Sequence, residues 1–396
     1  TALLRVKNDI LSAIDNKSGV FLALIDLSAA FYTVDHEILL TSLEDTIGIK
    51  GAALDWFISY LSGRMQCISI DNVMSNLVEL LFGVPQGSVM GPFKFCVYTL
   101  PIGAIIRSHG LSYHIYADDT QVYLSFDVEN PEEALDKLNS CLADIRSWMI
   151  KNKLKINDSK TEFVIFSSPS ATSKLPADLE LQVGNSNIKP ASNAKNLGVM
   201  FDQHLKMETQ VTSICKSANF HIRNIGKIRH LITDSSAQQL VHAFITSRLD
   251  YCNSLLIGLP DTQLNRLQRI QNTAARIVSR TKKFDHVTPV LNRLHWLPIK
   301  KRIEFKTLLL TYRCVNGKAP KYLEELLSPY EPSRRLRSSD QHLLNIPTCR
   351  LKTYGDKCFS IAAPKAWNSL PMELRMSSSL DVFKKKLKTH LFKANA

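Results

Sequence analysis

Residues 114–124 read His114-Ile115-Tyr116-Ala117-Asp118-Asp119-Thr120-Gln121-Val122-Tyr123-Leu124. Apolar, β-prone residues lie on both sides of two adjacent acids. That pattern predicts strand, tight turn, strand, with the carboxylates at the tip. Two like charges side by side repel, and one takes up a proton unless a cation lies between them. A divalent ion is one remedy, and an all-oxygen ligand set suits magnesium. A solvated Asp-Asp turn is the other reading, and taken alone it is the commoner one. The surrounding chain has to decide.

Upstream, Val20-Phe21-Leu22-Ala23-Leu24-Ile25-Asp26 is a continuous apolar run ending in an acid. Such a run predicts a strand buried on both faces. An acid at its end is costly unless it is paired or binds metal. The alternative is that Asp26 caps a turn of helix over 27–32. Amphipathic helices are predicted over 34–43 and 52–61, then a strand over 65–70, a turn at Asp71-Asn72 and a return over 77–82. Gly83-Val84-Pro85-Gln86-Gly87-Ser88 follows. Two glycines and a proline set a defined loop with close backbone approach, leading into a helix over 89–100. Gln86 there can bond a base or a sugar, or can simply belong to a connection.

Downstream, acidic residues open a long amphipathic helix over 131–152. Lys160 precedes a strand over 163–166, residues 167–178 read as an exposed loop, and a small hairpin follows near 179–188. One more strand is predicted over 194–201, with Gly198 where another backbone passes close. From Lys206 helical periodicity takes over, at 208–231, 235–248, 261–280 and 301–315. The third of these carries Arg266, Arg269, Arg276 and Arg280 around its apolar face. They either track a phosphate backbone or form a solvated face. Residues 328–350, with Arg334-Arg335-Leu336-Arg337, read as a linker or contact arm. The segment around Pro364 to Pro371 reads as turns, and a basic helix over 380–392 ends the chain.

The 396 residues are 45% hydrophobic and 21% charged, which is globular and ample for two or three domains. No apolar run approaches the roughly 20 residues of a membrane helix, and the start is not a signal peptide. Thr1 in place of an initiator Met suggests a partial chain. The eight cysteines are scattered without zinc-like spacing, so reduced thiols in an intracellular protein are expected. Charge is divided unevenly. Residues 1–205 hold 16 Lys and Arg against 23 Asp and Glu, and residues 206–396 hold 33 against 13. The acid pair thus lies in an acidic half joined to a strongly basic one, which implies a polyanionic partner, nucleic acid before a membrane surface.

Distant carboxylates on neighbouring strands are what a two-metal site for phosphoryl transfer requires. In this order the pieces resemble the reverse transcriptase of a non-LTR (LINE-type) retrotransposon, from its palm to its C-terminal end. Leu24-Ile25-Asp26-Leu27-Ser28-Ala29-Ala30-Phe31 resembles the first palm motif. Gly83-Val84-Pro85-Gln86-Gly87-Ser88-Val89-Met90-Gly91-Pro92 resembles the second, and Tyr116-Ala117-Asp118-Asp119 the third. Leu154-Lys155-Ile156-Asn157 with Lys160-Thr161-Glu162 resembles the fourth, and Leu197-Gly198-Val199 the primer grip. Leu249-Asp250-Tyr251-Cys252-Asn253-Ser254-Leu255 and Ala363-Pro364-Lys365-Ala366-Trp367-Asn368 resemble the C-terminal region of the same elements. That last match argues against a bacterial intron or retron polymerase.

The resemblance implies an α+β fold. A right-hand polymerase palm, an antiparallel sheet with packed helices and partial fingers, would span 1–205. A mainly helical thumb would span 206–290, and a basic nucleic-acid-binding region 291–396. It also implies an RNA-directed DNA polymerase that joins a deoxynucleoside triphosphate to a primer 3′-hydroxyl on an RNA template. Asp26, Asp118 and Asp119 would hold two Mg2+ ions, with Mn2+ as the substitute. Lys160 would protonate the leaving pyrophosphate. Phe31, Gln86 and Gly87 would meet the incoming nucleotide, with Phe31 as a steric gate. Leu197, Gly198 and the four arginines would meet the nucleic acid. Localisation would be intracellular, in a nuclear or cytoplasmic ribonucleoprotein, with no membrane partner.

Two departures stand out. Tyr32 occupies a position where LINE-type enzymes usually carry Asp. Fingers that hold the triphosphate, and a nicking endonuclease, would lie upstream of Thr1, so little activity is expected of these residues alone. The competing expectation is a non-catalytic nucleic-acid-binding remnant of a decayed or co-opted element.

Overall fold

The structure, a computed structural model, describes residues 1–84, 87–331 and 342–393. Pro85, Gln86 and the arginine cluster at 334–337 lie outside the described residues. The chain divides into two compact units, one formed by Ser18–Ala194 and the other by Thr1–Lys17 with Lys195–Ala396.

The first unit is built on a four-stranded antiparallel sheet of β1 (Gly19–Ile25), β2 (Ser112–Tyr116), β3 (Asp119–Phe126) and β4 (Glu162–Phe166). Its order is β2-β3-β1-β4, so the unbroken apolar run of β1 takes the interior place. Six of its seven residues are buried. At Gly19 a Cβ would lie 2.2 Å from the Phe126 ring, which stacks on Phe21 at 4.0 Å between centroids. Close ring packing therefore fixes the residue type at the strand's start. The helices Gly91–Ser108 and Pro131–Lys151 pack on one another and on the sheet, each with a proline in its first turn where a missing N–H costs nothing. The first of these runs through Pro101 to Ser108, eight residues beyond the predicted end at 100.

Between β1 and that helix lies a two-stranded ribbon. Met65–Gln66 pairs with Val78–Glu79, and Ser69–Ile70 pairs with Val73–Met74. Asp71 and Asn72 turn it with φ of 48° and 66°, the left-handed pair that a two-residue hairpin turn demands.

The second unit is helical, with Glu208–Ile228, Asp261–Ser279, Ile299–Val315, Phe359–Asn368 and Leu380–Lys393 as its longer elements after residue 195. The N-terminal helix Ala2–Asp15 belongs here, not with the sheet. Its Asp15 carboxylate accepts from Arg350 N at 2.9 Å and Leu351 N at 2.6 Å, and Asn8 Oδ1 accepts from Ser360 N at 3.0 Å. The division into compact units falls after Ala194. The regions expected separately at 206–290 and 291–396 share one unit.

Two local expectations are corrected. The strand expected over 194–201 is two short strands, Asn193–Asn196 and Val199–Asp202, either side of a turn at Leu197-Gly198 with φ of 43° and 80°. The segment expected as turns near Pro364 is the helix Phe359–Asn368. Trp367 is fully buried beside the stacked Tyr312–Phe383 pair, and the Asn368 amide brackets the backbone of Leu344. Burial of that indole outweighs the helix-weakening effect of Pro364. All eight cysteines are free thiols. No helix among the described residues is long and apolar enough to cross a membrane.

Candidate active site

Asp26 follows β1 directly, and a second strand-like segment holds it there. Its carbonyl accepts from Asn157 N at 2.9 Å, and Lys155 O accepts from Ser28 N at 2.9 Å. No helix follows over 27–32, so Asp26 caps nothing; the cap is Asp35, whose carboxylate accepts from Glu37 N and Ile38 N. The Asn157 carbonyl also accepts from Lys160 N and Thr161 N, closing the turn that presents Lys160. Lys160 Nζ stands 3.7 Å from Asp26 Oδ2. That distance is an ion pair and too long for a hydrogen bond.

The hairpin delivers the other two acids. Tyr116 pairs with Asp119, leaving Ala117 and Asp118 as a two-residue turn, and Ala117 takes φ 54°. A left-handed alanine is strained, and strain of this kind persists where the surrounding structure enforces it. Ile25 pairs with Thr120, which brings Asp119 beside Asp26. The surrounding chain desolvates the Asp119 carboxyl and raises its pKa, and Asp118 and then Asp26 raise it further. Asp26 Oδ2 is buried with no hydrogen-bond partner. Asp26 thus faces a lysine whose side chain is 69% exposed, with Asp118 and Asp119 alongside. The charge deficit is what a divalent cation fills, and the donors are the hard oxygens it prefers. As they stand, no three His, Cys, Asp or Glu side chains among the described residues are drawn together tightly enough to hold an ion. The residues present nevertheless fit one in chemistry, charge and an acceptor left unused.

The loop before the helix Gly91–Ser108 rests on the turn after Asp26. Gly83 N donates to Val34 O at 2.7 Å and Val84 N to Phe31 O at 2.8 Å. Gly83 has φ 86°, and a Cβ there would meet Tyr32 O at 2.9 Å and Phe31 O at 3.0 Å, so the glycine is obligatory. Gly87 is exposed at φ 80°. The Phe31 ring packs on Phe95 at 4.8 Å, while Tyr32 is 61% exposed. Lys94 was not singled out by the sequence. It is buried, with Nζ 3.4 Å from the centroid of the Tyr60 ring. Burial lowers its pKa and Tyr60 works against that. A lone lysine in the apolar start of this helix was the available signal.

The remaining expected residues lie in the helical unit. Leu197 O accepts from Tyr251 OH at 2.7 Å, and the Tyr251 ring, not a backbone, backs Gly198. Arg266 donates to Thr212 Oγ1, Arg276 to Asp285 O, and Arg280 to Ile232 O beside Asp234. Arg269 is exposed on the same helix. Three of the four guanidiniums are therefore committed to the chain itself.

The family described as "Reverse transcriptase (RNA-dependent DNA polymerase)" matches residues 5–201. Among curated proteins, the chain is 25% identical over 280 residues to "Probable RNA-directed DNA polymerase from transposon X-element" of Drosophila melanogaster, covering 69% of this chain and 30% of that protein. It is 24% identical over 344 residues to the corresponding protein "from transposon BS" of the same species, covering 84% and 37%. It is 25% identical over 283 residues to "RNA-directed DNA polymerase from mobile element jockey" of Drosophila funebris, covering 69% and 30%. The chain spans about a third of the length of these relatives. Residues 5–201 thus match the reverse transcriptase family, and the chain is similar to RNA-directed DNA polymerases of transposons and mobile elements.

Proposed function

We propose that this chain carries the polymerase chemistry of a non-LTR retrotransposon reverse transcriptase. The observation that supports the reading is the raised pKa of Asp119 beside Asp118 and Asp26, with Lys160 exposed 3.7 Å from Asp26 and Asp26 Oδ2 left without a donor. Asp26 and Asp118 would hold two Mg2+ ions, or Mn2+ in their place, and Asp119 would assist. Bound there, the ions supply charge neutralisation for the attacking and leaving oxygens.

The chain's own residues do the rest. A primer 3′-hydroxyl gives its proton to solvent as its oxygen attacks the α-phosphorus of a deoxynucleoside triphosphate, the new P–O bond forms as the bond from that phosphorus to the α–β bridging oxygen breaks, and pyrophosphate leaves. Lys160 gives the leaving oxygen a proton from Nζ, a role suited to an exposed ammonium. Phe31, held by Phe95 and the Val84 N–H, lies under the incoming sugar and rejects a 2′-hydroxyl. Gln86 and Gly87 meet the nucleotide. Leu197, Gly198 and the arginine helix, chiefly through Arg269, hold the RNA template and DNA primer. The assembly works as an intracellular ribonucleoprotein.

RNA-templated primer extension with Mg2+ tests the reading. Extension by the 396-residue chain, alone or joined to upstream segments, is expected to vanish in Asp118→Asn with duplex binding kept. Unchanged extension in that variant sinks the metal assignment. No extension under any of these conditions sinks the polymerase itself.

A further inference from the structure

One of the C-terminal motifs, Leu249-Asp250-Tyr251-Cys252-Asn253-Ser254-Leu255, takes no part in the chemistry above. Leu249, Asn253, Ser254 and Leu255 are buried, and Tyr251 is its one exposed member. The backbone around Tyr251 is fixed. Its N–H donates to Ser247 O at 3.0 Å, and Cys252, at φ 50°, turns the chain so that its own carbonyl accepts from Leu255 N at 2.9 Å. The buried residues thus form a base from which one aromatic side chain projects.

That side chain ends on the Leu197-Gly198 turn, in the same unit. Its hydroxyl donates to Leu197 O at 2.7 Å, and its Cε1 and hydroxyl oxygen lie 3.6 Å from the place of a Cβ on Gly198, an ordinary van der Waals distance. The turn needs a support. Leucine is strained at φ 43°, and strain of this kind persists where the surroundings enforce it. Gln210 Oε1 steadies the strand that leaves the turn, accepting from Met200 N at 2.9 Å. Gly198 is exposed, and with Tyr251 and Arg248 it lines a cleft of about 390 Å3, so a strand from outside can reach the turn. Arg248 in that wall already donates to Ser217 Oγ and Phe244 O, both at 2.7 Å. What the cleft presents at Gly198 is therefore a shaped backbone rather than the basic charge of the unit.

We propose that Tyr251 is a positioning residue for the polymerase reaction: its hydroxyl and ring hold the Leu197-Gly198 turn in the left-handed conformation that meets the 3′ end of the primer strand. Tyr251 acts through the turn and does not touch the reacting atoms. The proposal rests on the reading of that turn as the primer grip. It gives the exposed tyrosine of the motif a task that its buried neighbours serve by holding it in place.

Photo-cross-linking tests it without nucleotide incorporation. The full chain is bound to an RNA template with a DNA primer ending in 4-thiothymidine, and the cross-linked peptide is mapped by mass spectrometry. Wild type is expected to cross-link in the peptide that holds residues 197–199. Tyr251→Phe keeps the ring and removes only the hydroxyl. It is expected to cut that cross-link about fivefold at saturating duplex, the measure of one ordinary hydrogen bond, with duplex Kd and Tm unchanged. Tyr251→Leu, which loses the ring as well, is expected to cut it further. In primer extension Tyr251→Phe is expected to lower kcat by about the same fivefold, with KM for the deoxynucleoside triphosphate unchanged. A merely structural tyrosine would instead lower Tm and leave the cross-link per bound duplex as it was, and that result overturns the proposal. So does a wild-type cross-link that falls outside the turn, even where primer extension succeeds. Absence of extension with the expected cross-links strikes the polymerase reading and still supports the placement of the primer end by Tyr251.

Discussion

Asp26 in the sheet unit and Asp250 in the helical unit are both acids inside motifs, and their surroundings differ. Asp250 is held by both arms of the Arg302 guanidinium. Asp26 has an exposed lysine at 3.7 Å and an oxygen with no donor. The same contrast recurs around them. The sheet unit crowds Asp118 and Asp119 beside Asp26, whereas the helical unit satisfies Asp15 with two backbone N–H groups. An acid whose partners are supplied by the chain is structural. Acids left short of partners on neighbouring strands are candidates for a ligand from outside the chain.

The largest expected effect breaks the sheet side of this comparison. Asp26→Asn or Asp118→Asn is expected to lower nucleotide incorporation by roughly a thousandfold or more in primer extension, as loss of a main charge-stabilising group does, while duplex binding holds. Next, Gly83→Ala should cost about 1–3 kcal/mol in urea unfolding followed by a sheet-unit probe, because a positive φ and two backbone carbonyls confront the new Cβ. On the helical side, Asp250→Asn should cost about 1 kcal/mol, a value already reduced for solvent screening because Asp250 is 40% exposed. It should leave the rate of incorporation by bound enzyme unchanged.

The smallest effect is a change of slope. Burial first, and Lys357 next, hold the Lys7 pKa down to about 7 from 10.5, against smaller opposing effects of Cys358 and Asp202. Between those values the unfolded chain binds the proton and the folded chain does not. This group therefore makes stability rise with pH across that window. Below about 7 both states are protonated, and the full cost of the buried cation is present. Lys7→Met should flatten the rise by about one proton in unfolding measured from pH 7 to 10. An unchanged slope would place the burden on another group.

Much of the sheet unit was legible in the sequence because its signals are local. An apolar run that ends in Asp26 and a hairpin tipped by two acids each declare a strand and its end. Asp71-Asn72 declares a left-handed turn, and the helices announce themselves by period. What was hidden depended on distant backbone. Asp26 also admits a reading as a helix cap until residues 155–157 are seen to pair with residues 26–28. Leu197 gives no hint of φ 43°, so the broken strand was invisible. Pro364 argues for a turn until the burial of Trp367 is known. The helix Ala2–Asp15 carries no mark of its partners near residue 350. In the arginine helix, spacing predicted a shared face, and the structure spends three of the four guanidiniums on the chain itself.

The most direct measurement is Mn2+ binding followed by electron paramagnetic resonance, since it reads the sheet unit without requiring catalysis. Wild type is expected to bind the ion at a site that is lost in Asp26→Asn with Asp118→Asn and kept in Asp250→Asn. Equal binding by wild type and the Asp26/Asp118 double variant would contradict the account.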